Sequence, residues 1–148
     1  AQAAFLRSGH RNPEVDTSPQ RPATAGFAET ARLVSELDGV LAAGVSRTAT
    51  GTLERCYNGI ETEVRRLGTA AALILSSQAR AMQLLGQGEP ADELLLTYAT
   101  TALLIRPLGE DRFVFTLMTR ERSNISVARV VLREVAEILE QAETGPRA

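Results

Sequence analysis

One long helical segment, about residues 59 to 85, constrains the fold more than any other part of the sequence. At about 100° per residue, Val64, Ala71 and Ile74 fall on one apolar stripe. A second stripe beside it widens the apolar arc to roughly 200°, about twice the width that covers one sheet. The second stripe consists of Ala70, Leu73, Ala81 and Leu84. A helix with this pattern is predicted to be buried on two sides, either by another chain or deep within one protomer.

Residues 93–98 are predicted to form a short strand that is apolar on both faces. Leu94, Leu95 and Leu96 lack the apolar–polar alternation of a half-exposed strand. At a sheet edge such a strand is an aggregation hazard unless it is paired or covered. Self-association through the long helix and this strand, most simply as a two-fold homodimer, accounts for both patterns. The predicted dimer interface comprises Ala70, Leu73, Ala81, Leu84, Leu94 and Leu96.

The other segments indicate an α+β domain. Apolar residues at helical spacing predict a first helix from Phe27 to the turn at Asp38. A last helix is predicted from a cap at Ser123 or Asn124 to Ala142. Strands are predicted at residues 40–46, 52–57, 93–98, 101–107 and 112–119. The element order αββαβββα has hairpin-length connections, so we expect an α+β sandwich with a five-stranded antiparallel sheet flanked by helices.

The 148-residue chain divides into a leader, one domain and a tail. Residues 1–26 contain three prolines and few large apolar side chains, so burial cannot offset the entropy of ordering them. They are predicted to be a flexible leader that is either passive or carries a short docking motif. Residues 27–142 form the domain, in which Asn58 and Glu61 have the spacing of a capping box at the start of the long helix. Residues 143–148 are a short tail.

Charge and composition exclude several classes of partner. Sixteen basic residues, all arginine, oppose 18 acidic ones without any basic block, which argues against nucleic acid. The longest apolar run, residues 70–75, is far shorter than the roughly 20 residues of a membrane span, so no membrane insertion is expected. A single cysteine cannot form an internal disulfide, which favours a reducing compartment. We therefore expect a cytoplasmic protein.

The residues that most enzymes and metal sites need are scarce. Cys56 is the only cysteine and His10, in the leader, is the only histidine. Neither a Ser-His-Asp triad nor a zinc site with two or more Cys or His ligands can be assembled on the domain. Residues 86–91 match the letters of G-x-G-x-x-A, but they follow a helix and include Pro90, which indicates a helix stop. We expect no enzyme activity, cofactor or metal, and a structural rather than a reactive Cys56.

Polar residues with a potential role in partner binding surround the start of the last helix. They are Arg120, Arg122, Asn124 and Arg129. Arginines in such a loop either reach into a neighbouring phosphate site, as arginine fingers do, or are simply solvated. The sequence marks this cluster as a candidate contact for a protein partner.

Three segments together carry a family pattern. Residues 123–129 read Ser-Asn-Ile-Ser-Val-Ala-Arg, residues 36–45 run from a helix into a strand, and residues 101–115 form two strands. In this order they resemble the corresponding parts of roadblock-type dynein light chain domains, whose last helix opens with Asn-x-Gly-x-Ala-Arg. Ser126 stands where that family usually has glycine. The resemblance spans about residues 27–142.

This resemblance implies a roadblock/profilin-like sandwich that homodimerises through its second helix and an edge strand. It also implies a partner: a small Ras-like GTPase, as for many bacterial members, or a larger complex such as dynein. In the activators of that family, the dimer repositions the GTPase's own residues and donates no catalytic ones. Two alternatives to a GTPase regulator stay open. One is a structural light chain without nucleotide dependence, and the other is a small-molecule sensor with an apolar pocket inside the protomer.

Overall fold

The computed structural model describes the backbone of residues 22–144 and the side chains of residues 26–142. In this part of the chain the helices are α1 (Pro22–Ser35), α2 (Glu61–Leu84) and α3 (Ile125–Thr144). The strands are β1 (Val40–Arg47), β2 (Leu53–Asn58), β3 (Leu94–Thr97), β4 (Thr101–Leu108) and β5 (Arg112–Thr119). The predicted element order αββαβββα and the α+β class are confirmed.

The strands form the predicted five-stranded antiparallel sheet, and their order in it is β2-β1-β5-β4-β3. α2 packs on one face, mainly over β1 and β2, around a core that includes Val64, Phe113 and Phe115. α1 and α3 pack together on the opposite face, around a second core that includes Val34 and Leu132. Helices therefore flank the sheet on both sides and leave β2 and β3 as its edges.

All three helices differ from their predicted bounds, α2 by two residues at its start and one at its end. α1 begins at Pro22 rather than Phe27 and ends at Ser35; proline suits the first helical turn, where its missing N–H is not needed. Gly26 lets α1 approach α3 closely, because a Cβ there would lie 3.1 Å from the Cβ of Ala142. α3 continues to Thr144, past its predicted end. The rest of the predicted leader and tail, residues 1–21 and 145–148, lies outside the described residues.

The predicted capping box at the start of α2 is wrong. Ile60 occupies the N-cap position, without a side-chain hydrogen bond to the helix. The Asn58 side chain instead donates to the carbonyl oxygen of Val40 at 3.3 Å, which ties the end of β2 to the start of β1. At α3 the cap is the one predicted, since the Asn124 Oδ1 accepts from the backbone N–H of Val127 at 3.1 Å.

An aromatic cluster holds α1 against the edge strand β2. The rings of Phe27 and Tyr57 stack with centroids 5.5 Å apart, and the Arg55 guanidinium lies 4.9 Å from the centroid of the Phe27 ring. The hydroxyls of Thr30 and Tyr57 are 2.6 Å apart and share a hydrogen bond. Burial raises the pKa of Tyr57 and lowers that of Arg55. These contacts fix the position of α1 on β2.

Candidate interaction site

The second apolar stripe of α2 lies on the outside of the protomer. Leu73 is 67% exposed and Leu84 is 84% exposed, and Ala70 and Ala81 are exposed as well. One or two positions away from Leu73 along the helix, the pattern reverses: Ala71, Ala72 and Leu75 are buried against the sheet. The helix therefore has a buried face and an uncovered apolar face, and the alternative in which both faces are buried within one protomer is wrong.

An open groove of about 1040 Å³ runs beside this uncovered face. Its α2 wall includes Ala70, Leu73 and Ser76, and its other wall includes Pro107 at the end of β4 and Pro90 in the connection to β3. The groove therefore lies on the side of α2 that faces the β3 half of the sheet. Its predominantly apolar lining makes it a candidate for covering by another molecule.

The predicted interface strand β3 is an edge of the sheet, with β4 as its only strand neighbour among the described residues. Leu94 and Leu96 point inward and pack, half-buried, against the core beneath α2. Leu95, between them, is 40% exposed. The outer edge of β3 thus offers unpaired backbone groups. The side chains of Leu94 and Leu96, which were predicted to lie in the interface, anchor β3 to the core of its own protomer.

The predicted partner-contact residues lie around the connection from β5 to α3, with different local roles. Arg122 is exposed, whereas Asn124 caps α3. The Arg120 guanidinium donates to the carbonyl oxygen of Tyr98 in the turn between β3 and β4 at 2.9 Å. The Arg129 Nε donates to the carboxylate of Glu93, immediately before β3. Two of the four predicted residues are therefore tied to the elements that flank β3.

Glu93 is a residue of this site that the sequence reasoning missed. Its carboxylate accepts hydrogen bonds from Arg106 on β4 and Arg129 on α3. The partners are separated from it by 13 and 36 positions along the chain, so no local pattern connects them. Only the paired strands and the helix packed over them bring the three charges together.

The chemistry of the buried thiol agrees with a structural role. Cys56 is 2% exposed, and burial raises its pKa to about 11 from an ordinary value of 9.0.

Within the described residues no group of three or more His, Cys, Asp or Glu side chains could hold a metal ion. No described helix combines the length and apolarity needed to cross a membrane. His10 lies outside the described residues.

Cys56 is expected to react slowly with a soluble aromatic disulfide reagent at pH 8. Raising a thiol pKa by about two units lowers the thiolate fraction by about 100-fold at that pH. The native full chain should therefore be labelled at least about 100-fold more slowly than the guanidinium-unfolded chain. Stopped-flow absorbance measures both rates, and rapid labelling of the native chain would contradict a buried, structural thiol.

Comparison with solved structures defines the class of fold. The chain is similar to a Roadblock/LC7 domain from Streptomyces avermitilis, with a TM-score of 0.65 at 16% sequence identity; the match covers 80% of this chain and 94% of that one. No protein-family model and no curated protein matches the sequence. The chain has the roadblock/LC7 fold, as the resemblance in its sequence implied.

Within that fold, structures of MglB proteins match this chain over nearly their whole length. The gliding protein MglB from Thermus thermophilus gives a TM-score of 0.67 at 15% identity, covering 90% of this chain and 96% of that one. MglB from Myxococcus xanthus gives 0.62 at 10% identity, covering 86% and 96%. A structure described as MglB with tetrameric arrangement gives 0.66 at 16% identity, covering 86% and 92%. The likeness at these identities is one of fold.

Proposed function

We propose that the protein is a non-catalytic, homodimeric adaptor or regulator that binds a small Ras-like GTPase, as an activator or a scaffold. The observation that carries the proposal is the uncovered apolar face of α2, and the open edge of β3 supports it. Two large apolar side chains of this face, Leu73 and Leu84, are exposed to solvent in the single protomer. Burying such a leucine contributes about 1.5–3 kcal/mol each.

A single two-fold axis beside β3 satisfies both features of this surface. It places the β3 edges of two protomers next to each other, so that their backbone groups pair and the sheet continues across the dimer. The same axis brings the α2 helix of each protomer towards the groove of the other, where Ala70 and Ala81 allow close approach. The likeness to MglB described as having a tetrameric arrangement supports self-association.

The GTPase partner is proposed from the roadblock resemblance of the sequence, supported by the likeness in fold to MglB structures. The contact surface that we propose for it includes Arg120, Arg122, Asn124 and Arg129. All four residues are exposed. Among the described contacts, the Arg122 side chain has no hydrogen bond that ties it to another helix or strand. It is therefore the position at which a change of charge tests the contact with the least effect on the fold.

The experiment that tests this proposal is capture of partners from native lysate on the immobilised full chain, with GDP or with a non-hydrolysable GTP analogue. We expect a Ras-sized protein to be retained with the analogue and lost with GDP. The Arg122→Glu variant should retain about five- to thirtyfold less of it, since reversing one contact charge costs on the order of 1–2 kcal/mol. Arg32→Glu, at another exposed arginine on α1, is the control and should bind as the wild type does.

The alternatives predict different outcomes in the same experiment. A structural light chain would retain its partners equally with both nucleotides, and that result would displace the GTPase proposal. A small-molecule sensor would need the groove of about 1040 Å³ to stay open in solution. Because the groove shares Ala70 and Leu73 with the proposed dimer interface, a stable dimer would cover it and disfavour the sensor.

A further inference from the structure

A cluster of three charges joins the start of β3 to α3. Glu93 Oε1 accepts from Arg106 at 3.4 Å, and Glu93 Oε2 accepts from the Arg129 Nε. The side chains of Glu93 and Arg106 are 14% and 20% exposed, whereas that of Arg129 is 54% exposed. Because Glu93 and Arg106 are largely shielded from solvent, their ion pair is stronger than a fully exposed pair. The cluster holds two cations and one anion, so it carries a net positive charge.

Glu93 immediately precedes β3, so its ion pairs act on the first residue of the edge strand. β3 has four residues and pairs with β4 alone, from Leu94 opposite Ile105 to Thr97 opposite Ala102. It follows a connection from Gly86 to Glu93 that contains no helix or strand. A strand this short at an edge has few interactions of its own to keep it ordered. The two ion pairs of Glu93 therefore fix the point at which the strand begins.

The other end of the cluster is open to a partner. The Arg129 guanidinium uses its Nε for Glu93, and its half-exposed side chain presents further N–H donors to solvent. A carboxylate that binds arginine in the bidentate manner takes two adjacent N–H donors, and one of the two available pairs includes the Nε. An incoming acidic group that takes the pair with the Nε therefore competes with Glu93 for the same N–H donor.

We propose that Glu93 is a positioning residue that couples the α3 arginine surface to self-association through β3. With Arg129 bound to Glu93, the start of β3 is held and its edge is ordered for pairing with a second copy. An acidic segment of a partner that takes Arg129 releases one of the two anchors and weakens pairing. By linkage, self-association then weakens binding of that acidic segment by the same factor. This inference rests on the homodimer proposed above.

Sedimentation equilibrium of full-length variants tests the coupling. We expect Glu93→Gln and Arg129→Gln each to raise the dimer dissociation constant by about three- to tenfold, as the loss of a half-buried ion pair should. The double variant should be no weaker than the weaker single variant, because both changes break the same interaction. Arg129→Lys, which keeps the charge, should recover part of the affinity. Arg133→Gln, one turn further along α3 and exposed, is the matched control and should leave the constant unchanged.

Amide exchange and a peptide probe separate this role from a general loss of stability. Exchange of the β3 amides should accelerate in both single variants while that of β5 stays at the wild-type rate. Hexaglutamate should weaken self-association of the wild type and have no effect on Arg129→Gln. Additive single variants, or uniform acceleration of exchange, would overturn the coupling. A wild type that is monomeric at every concentration would overturn the homodimer instead, and β3 exchange alone would then decide whether Glu93 holds the strand.

Discussion

Gly68→Ala should lower the free energy of unfolding by about 2–3 kcal/mol, although alanine is the better helix former by about 1 kcal/mol. Gly68 lies on the buried face of α2, where the helix crosses β1. A Cβ at this position would approach the Oγ of Ser46, on β1, to well below any contact that carbon and oxygen tolerate. Either the buried Ser46 side chain must leave its rotamer or the helix must move away from the sheet, and both changes disturb packing on the α2 face of the core. Urea unfolding followed by circular dichroism measures the change.

Replacement of Ser46 should reverse this loss. The Ser46 hydroxyl is fully buried, and among the described residues it has no hydrogen-bond partner. Ser46→Ala removes the oxygen that the new methyl group meets, without leaving a polar partner unsatisfied. We expect the double variant Gly68→Ala/Ser46→Ala to be within about 1 kcal/mol of the wild type or slightly more stable. A double variant no more stable than Gly68→Ala would show that the close approach at Ser46 is not what requires glycine.

Leu73→Arg should abolish self-association and leave the protomer folded. The side chain is 67% exposed, so the change in the free energy of unfolding of the protomer should stay within about 0.5 kcal/mol. In a dimer, two copies of the arginine would be forced into an apolar contact, at a cost of several kcal/mol for each unpaired charge. Size-exclusion chromatography with light scattering reads the mass, and circular dichroism reads the helix content.

Leu75→Arg is the matched variant on the opposite face of α2. Leu75 is 7% exposed and packs in the core between α2 and the sheet, so the same new charge should unfold the domain. The contrast between Leu73 and Leu75 therefore separates the two stripes of the helix. If both variants unfold, or both remain dimeric, the division of α2 into a core face and a pairing face is wrong.

The parts of the fold that local sequence pattern controls were predictable. The residues of β5 are bounded by a glycine-containing turn, and the predicted limits of this strand match the observed ones. The start of α1 was missed because Pro22 and the small residues after it carry no apolar periodicity. The capping box at Asn58 failed for a tertiary reason, since that side chain hydrogen-bonds to Val40 on the neighbouring strand.

In the candidate site too, the features set by local sequence pattern were predictable and those set by tertiary contacts were not. The second stripe of α2 was predictable from the helical repeat alone. This stripe has no place in the core of the protomer, and Leu73 and Leu84 are accordingly exposed. The run Leu94–Leu96 has no alternation, so the sequence could not tell which of its side chains point inward. The ion pairs of Glu93 join residues from three parts of the fold, and only the sheet register and the position of α3 bring them together.

The measurement that tests the proposed dimer most directly is the mass of the wild-type chain in solution at micromolar concentration, by sedimentation equilibrium beside the Leu73→Arg variant. We predict that the wild type has twice the protomer mass of 15.9 kDa and that the variant has the protomer mass with the same helix content. A wild type of 15.9 kDa under these conditions would contradict pairing through α2 and β3, and with it the homodimeric regulator proposed here.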